Sequence, residues 1–205
     1  MTVELDSAPT LMVPCEEKGE TIVREVRLGR LTTDRLRFLW DKLKGFDTLF
    51  NDYVRGDFAA FVDHFLLNVN GQPQPAGLMW DVDDVGILFL NELKSDHSAT
   101  AHFCFWDGRF RGREKLCREM VKLAFDIYGF RRIEVQVPHY AKKTLHAVQS
   151  IGFVSEGIRR QAIFYKDQWF DVRLFSVIKE DLEKWDRVYS EKKKLAKQPL
   201  SQKTS

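Results

Sequence analysis

The chain predicts a mixed α/β fold of the α+β kind, built on one mostly antiparallel central sheet. Three observations predict it. The spacing of apolar residues switches repeatedly between period two and period 3.6 along the chain. Strand-like runs follow one another directly over 76–106 and again over 153–182, an arrangement that favours antiparallel neighbours. Finally, 205 residues with 44% hydrophobic and 30% charged content supply one core, and no internal repeat suggests a second.

Residues 1–20 carry two prolines and mixed polarity and read as a flexible arm. "TIVREVRLGRLT" (21–32) alternates as a strand with one solvated face. Thr33 or Asp34 can cap the next helix, whose Leu36, Leu39, Trp40 and Leu43 recur at helical spacing before Gly45. A second helix over about 57–68 places Phe58, Phe61, Phe65 and Leu66 on one stripe. "NVNGQPQP" reads as a loop. "AGLMWDV" and "VGILFLNEL" are strands joined at Asp83-Asp84, and "SATAHFCFWD" is the next, with Thr100, His102, Cys104 and Trp106 on one face. A helix over about 112–128 buries Leu116, Met120, Leu123, Ala124 and Ile127 and stops at Gly129. "RRIEVQVP" is a strand closed by Pro138, and "YAKKTLHAVQSIG" a helix ending at Gly152. The stretch from Phe153 to Leu182 reads as two long strands around a "KDQW" hairpin. One domain thus spans 21–189, flanked by about four helices and followed by a disordered basic tail, 190–205.

Charge is unevenly divided. Residues 1–108 carry a net −8 and residues 109–205 a net +10. Much of the positive excess lies between Arg109 and Arg160, and in "DGRFRGREKLCREM" (107–120) Arg109, Arg111, Arg113 and Lys115 surround Gly112 at the start of a helix. The first N–H groups of a helix lack internal partners and form the positive end of its dipole. Glycine lets an anion approach the backbone, and arginines add charge-assisted hydrogen bonds, so the turn is a candidate phosphate seat. The first twenty residues hold no basic segment followed by an apolar one, so no export signal is expected, and no run is long enough to span a membrane. Cys15, Cys104 and Cys117 lack metal-ligand spacing and suit free thiols. The chain reads as cytoplasmic.

The same turn resembles the signature loop of the GNAT N-acetyltransferase superfamily, Arg/Gln-x-x-Gly-x-Gly/Ala. It matches at Arg109 and Gly112 and departs at the sixth position, Glu114. "AFDIYGFRRIEVQV", "LHAVQSIGFVSEGIRR" and "YKDQWFDVRLFSV" are similar to segments of the branch containing ribosomal-protein and small-amine acetyltransferases, and the element order is also the superfamily's. The resemblance implies a sheet splayed between its fourth and fifth strands and acetyl-coenzyme A as cosubstrate, with no metal. It implies that Phe103, Cys104 and Phe105 line the pantetheine arm. The diphosphate would rest on backbone groups of Arg111, Gly112, Arg113 and Glu114, helped by the side chains of Arg109, Arg111 and Arg113.

The resemblance implies acetyl transfer to a primary amine by direct attack in a ternary complex. Where relatives carry a glutamate base on the fourth strand this chain has His102, whose imidazole titrates near neutral pH. The usual asparagine after the fifth strand is Ala141, and the usual thiolate-protonating tyrosine is Val148. Thr144 takes the place of a serine suited to the leaving sulfur, and Tyr140 is the nearest alternative phenol. The acceptor side would be built from "GFDTLFNDYVRGD" and "YKDQWF", with Phe50, Asp52, Tyr53 and Trp169 as contacts and Asp47, Asp57 and Asp167 as further carboxylates for a cationic amine, small molecule or protein. Cys104 and Cys117 read as small buried hydrophobes, His64 as decoration of the second helix, and Lys142 and Lys143 as solvated. No membrane or nucleic-acid partner is expected, and exposed strands suit a homodimer. The rival reading is a non-catalytic module that keeps the fold, as scaffold or RNA-associated piece.

Overall fold

Strand formation begins inside the segment expected to be an arm. The computed structural model describes residues 10–17, 20–46, 56–83, 85–107 and 112–185; the expected tail and the stretch 47–55 lie outside them. Strand β1 (Leu11–Glu17) pairs antiparallel with β2 (Glu20–Leu28), burying Val13 and Cys15. Pro14 is tolerated there because β1 forms an edge of the sheet, where a missing N–H costs no ladder bond. Helix α1 (Thr33–Leu43) is capped by Thr32, whose hydroxyl accepts from Arg35 N at 3.2 Å. Helix α2 (Phe58–Val62) is capped by Asp57, whose Oδ1 accepts from Ala59 N at 2.8 Å.

α2 is one turn and a half, shorter than the helix expected over 57–68. Asn70 and Gly71 both adopt positive φ (53° and 80°), the two-residue turn that joins β3 (Leu66–Val69) to β4 (Gln72–Pro75). An Asn-Gly pair is a strong hairpin signal, and it draws Leu66 out of the helical stripe and into a strand. Phe61 and Phe65 remain buried, so the stripe's packing survives although its helix does not.

The remaining elements are β5 (Gly77–Val82), β6 (Gly86–Asn91), β7 (Ser98–Phe105), α3 (Arg113–Tyr128), β8 (Arg132–Pro138), α4 (Lys142–Ile151), β9 (Val154–Tyr165) and β10 (Gln168–Ile178). Eight strands form one sheet in the order β1-β2-β5-β6-β7-β8-β10-β9, and every neighbouring pair is antiparallel except β7–β8. The β9–β10 turn uses Lys166 and Asp167, both at positive φ. The chain becomes helical at 179–185, where strand was expected to continue to Leu182. That change lets Leu182 and Trp185 reach the core on one helical face.

Two apolar clusters cover the two faces of the sheet. Helices α3 and α4 bury Leu116, Met120, Val121, Val148 and Ile151 against Val26, Ile133 and Phe175 on one face. On the other, Leu36, Leu39 and Leu43 of α1 meet Phe61, Met79, Ile87 and Phe89. Each such side chain contributes about 1.5–3 kcal/mol of burial, so both layers are needed to hold the sheet.

Gly152 ends α4 in the left-handed region at φ 112°, and the Trp185 ring occupies the space beside its Cα. Trp185 Nε1 also donates to Gly152 O at 3.2 Å. Gly152→Ala combines left-handed strain with overlap of the indole and should lower unfolding free energy by about 2–4 kcal/mol, measured by urea denaturation.

Candidate active site

The parallel neighbours β7 and β8 are paired only at their beginnings, Ser98 with Arg132, Ala99 with Ile133 and Thr100 with Glu134. Beyond Thr100 they part. Each strand keeps its other neighbour: β7 follows β6 out to Phe105, and β8 follows β10 out to Pro138. Residues 101–105 and 135–138 therefore flank an open wedge in the sheet, the splay expected between the fourth and fifth strands of the domain. A cavity of about 480 Å³ fills this wedge. Its walls include Phe61, Phe65, Ile87 and Phe89 from one apolar cluster and Val135, Val137, Val148 and Ile151 from the other, so it runs through the sheet from face to face.

Two helix N-termini meet this cavity. Arg113 and Glu114 from the first turn of α3 line it, as do Ala141, Lys143 and Thr144 at the start of α4. Neither helix has a side-chain cap, in contrast to α1 and α2. Uncapped first turns present backbone N–H groups to whatever lies in front of them, the arrangement that favours anions. Gly112, the N-cap of α3, is buried, and a Cβ there would overlap the Cys15 side chain of β1. The glycine thus has a packing reason in addition to the expected anion one. Arg109 and Arg111 lie outside the described residues.

His102 projects from β7 into the cavity, on the same face as Cys104. Its Nε2 lies 3.0 Å from Asn91 Oδ1 on the paired strand β6. With the amide oxygen as acceptor, Nε2 carries the proton and Nδ1 is left as a bare acceptor. The ring edge is open to the cavity, but the cavity walls surround it. Burial, followed by the nearby His64, pushes its pKa down to about 4, against a weaker upward pull from Glu92. His102 is therefore neutral at pH 7. Glu92 is itself engaged, accepting from Thr100 Oγ1 at 2.7 Å.

Phe103, Cys104 and Phe105 all line the cavity. Burial pushes the Cys104 thiol up to about 12 and raises that of Cys117 as well, so both stay protonated, as expected of small buried side chains. Thr144 is exposed to the cavity from the first turn of α4. Tyr140 lines the cavity too and is held there, its ring stacked on Tyr165 at 4.2 Å and edge-on to Phe170 at 5.1 Å.

The expected acceptor contacts are scattered differently. Phe50, Asp52, Tyr53 and Asp47 lie outside the described residues. Trp169 is 61% exposed, packs on Phe164 at 5.3 Å and takes no part in the cavity wall, because it lies on the opposite face of the β9–β10 hairpin from Ile163, Tyr165 and Phe170. Asp57 is occupied in capping α2, and Asp167 lies in the β9–β10 turn. The structure adds His64, read from sequence as surface decoration: it follows α2 in a turn and lines the cavity with His102. Asn91, Phe89 and Ile163 are further wall residues that the sequence did not single out. Only the alternation of β6 could have marked Asn91, through its pairing with Thr100 beside His102. Among the described residues no group of three or more His, Cys, Asp or Glu could hold a metal ion, and no helix is long and apolar enough to cross a membrane.

No family model matches the chain, and no curated protein matches it. Solved structures do. Spermidine N-acetyltransferase from Vibrio cholerae in complex with CoA and spermine aligns with a TM-score of 0.62 at 18% identity, over 77% of this chain and 98% of that one. A chimera of the Vibrio cholerae enzyme SpeG with hSSAT aligns with a TM-score of 0.59 at 18% identity, over 78% of this chain and 98% of that one. A SpeG point mutant gives a TM-score of 0.62 at 17% identity, with coverages of 78% and 98%. At such identities the likeness establishes architecture, and the architecture of this chain is the GNAT N-acetyltransferase fold.

Proposed function

We propose that this protein is an N-acetyltransferase that moves an acetyl group from acetyl-coenzyme A to a primary amine, with both substrates bound at once. The observation that carries the reading is the cavity through the sheet wedge, with uncapped helix ends on one side of the sheet and an imidazole reached from the other. An extended thioester arm fits between β7 and β8, whose facing edges lack a strand partner beyond Thr100 and Glu134. The backbone of Phe103, Cys104 and Phe105 would line that arm. N–H groups at the start of α3, from Arg111 to Glu114, would hold the diphosphate, with Arg109, Arg111 and Arg113 adding charge. The complex of Vibrio cholerae spermidine N-acetyltransferase with CoA and spermine supports the same pair of substrate classes for this fold.

Acetyl-coenzyme A supplies an activated acyl carbon and a thiolate leaving group. The rest is positioning and proton transfer. The amine would enter in its neutral form and donate a hydrogen bond to His102 Nδ1. The imidazole would take that proton as it becomes acidic on C–N bond formation, while Asn91 holds the opposite ring nitrogen. The new C–N bond forms as the C–S bond breaks, and Thr144 Oγ1 or the fixed Tyr140 phenol would donate a hydrogen bond to the departing sulfur. Two protonated thiols, Cys104 and Cys117, argue against an acyl-cysteine relay and for direct transfer.

Titration calorimetry should give a Kd for acetyl-coenzyme A of about 1–100 μM; absence of binding at millimolar cofactor overturns the reading. His102→Ala should lower kcat by about 10²–10⁴-fold while leaving that Kd unchanged, checked by free-thiol release.

The low His102 pKa also makes a stability prediction. The unfolded imidazole takes up a proton as pH falls through about 6.5, whereas the folded one resists until about 4. Stability contributed by neutral His102 is thus complete above pH 7 and declines between 6.5 and 4. Denaturation curves of His102→Gln should show a shallower decline over that interval.

A further inference from the structure

We propose that Gln136 is a further catalytic residue of this site, whose side-chain amide donates a hydrogen bond to the carbonyl oxygen of the bound thioester and is oriented by Arg159. This rests on the acetyltransferase reading and completes its reacting centre. Acetyl transfer builds negative charge on two atoms, the leaving sulfur and the carbonyl oxygen. Thr144 or Tyr140 would meet the sulfur and His102 the amine. The oxygen needs a donor of its own.

Register places Gln136 opposite His102. Thr100 of β7 and Glu134 of β8 are the last pair of the parallel ladder, and residues paired in this way project to the same face. Beyond them β7 continues against β6 to Phe105, and β8 against β10 to Pro138, with no register shift in either ladder. Period two therefore carries one face from Thr100 to His102 and from Glu134 to Gln136. The residues between point the other way, since Ala101 and Val135 pack in the cluster under α3 and α4. His102 and Gln136 are each the one exposed residue of their strand, and both line the cavity. They stand on the two lips of the wedge, on the face toward α1 and α2.

A neighbour decides which end of the amide is offered to a guest. Arg159 Nη1 of β9 donates to Gln136 Oε1 at 3.1 Å. A guanidinium has no acceptor, so the end of the amide turned to Arg159 must be its oxygen. The NH2 group, which only donates, is left for the cavity. The guanidinium also polarises the amide, which strengthens its N–H groups as donors. A thioester carbon lying in the wedge would thus meet a proton acceptor from the β7 side and a hydrogen-bond donor from the β8 side. Gln136 keeps its own protons throughout. Its hydrogen bond tightens as the carbonyl oxygen gains charge and relaxes as the C–S bond breaks.

The first readout needs no acceptor amine. Infrared difference spectra of the full chain with acetyl-coenzyme A, isotopically labelled at the acetyl carbonyl, report how strongly that bond is polarised. Wild type should show the carbonyl stretch at lower wavenumber than Gln136→Leu or Gln136→Glu. The glutamate variant keeps an acceptor for Arg159 and removes the donor, so a residue needed only to tie β8 to β9 would survive that change. Arg159→Met should lose part of the shift and Arg159→Lys regain it; an Arg159→Met spectrum equal to wild type overturns the positioning role of Arg159. With any amine that wild type acetylates, both Gln136 variants should lower kcat by about 10²–10³-fold with the Kd for acetyl-coenzyme A unchanged. Equal carbonyl stretches in wild type and Gln136→Glu, or an unchanged kcat in that variant, overturn the proposal while acetyl transfer stands. A loss confined to Kd overturns it as well. If acetyl-coenzyme A does not bind to wild type, the acetyltransferase reading falls and this assignment with it.

Discussion

The ladder between β7 and β8 stops after three residue pairs, and the site depends on that stop. A buried backbone edge without partners is costly unless water or a ligand satisfies it, so two strands do not part in a sheet interior without support. Here support comes from outside the wedge: β6 holds β7 from Thr100 to Phe105, and β10 holds β8 from Arg132 to Pro138. The closed end is pinned by polar groups. Arg132 Nε donates to Glu134 Oε1 at 2.7 Å, its guanidinium also pairs with Glu156, and Ser176 Oγ donates to Glu156 at 2.7 Å. These bonds hold the Glu156 carboxyl below its ordinary range, with the Arg132 contact as the largest cause. Single exposed ion pairs contribute little, but a network that joins β8, β9 and β10 fixes where the strands begin to diverge.

Because the wedge lies between two parallel strands, the crossover between them must pass over one face of the sheet, and that crossover is α3. Helix α3 starts where β7 leaves the wedge, and α4 starts where β8 leaves it. Both uncapped N-termini therefore arrive at the same opening as a consequence of connectivity. The first turn of α3 is also locked from behind, since Cys15 of β1 fills the space where Gly112 lacks a side chain. Arg118 adds a second tie, donating from Nε to Ile151 O at 2.7 Å and binding Ser150 O as well, which couples α3 to the end of α4. N–H groups held in this way would need little reorganisation if a ligand binds in front of them.

On the opposite face the sheet alternation sets the chemistry. Residues at every second position of β7, His102 and Cys104, face the α1 and α2 side, while Ala101, Phe103 and Phe105 pack against the other cluster. One strand thus offers an imidazole to one half of the cavity and apolar side chains to the other. Burial on the α1 and α2 side lowers the His102 pKa, so the packing of these helices against the sheet and the acid–base state of the site are linked.

Much of this was legible along the chain because it depends on local spacing. The stops of α3 and α4 at Gly129 and Gly152, the alternation of β7 and β8, and the basic turn at Gly112 are written in neighbouring residues, and the left-handed glycines sit where a side chain would be strained. The Asn70-Gly71 hairpin was equally local and was hidden by a stronger apolar stripe before it. Other features had no local mark. That β1 is a strand depends on β2 lying beside it and on an edge position that accommodates Pro14. That Gly112 packs on Cys15, that His64 meets His102, and that Trp169 stands clear of the cavity depend on residues far apart in sequence. Periodicity and capping determine which segments become helix or strand. Which side chains share a wall is decided only when the strands have chosen their neighbours, because a contact across the sheet is set by register and carries no signature in either strand alone.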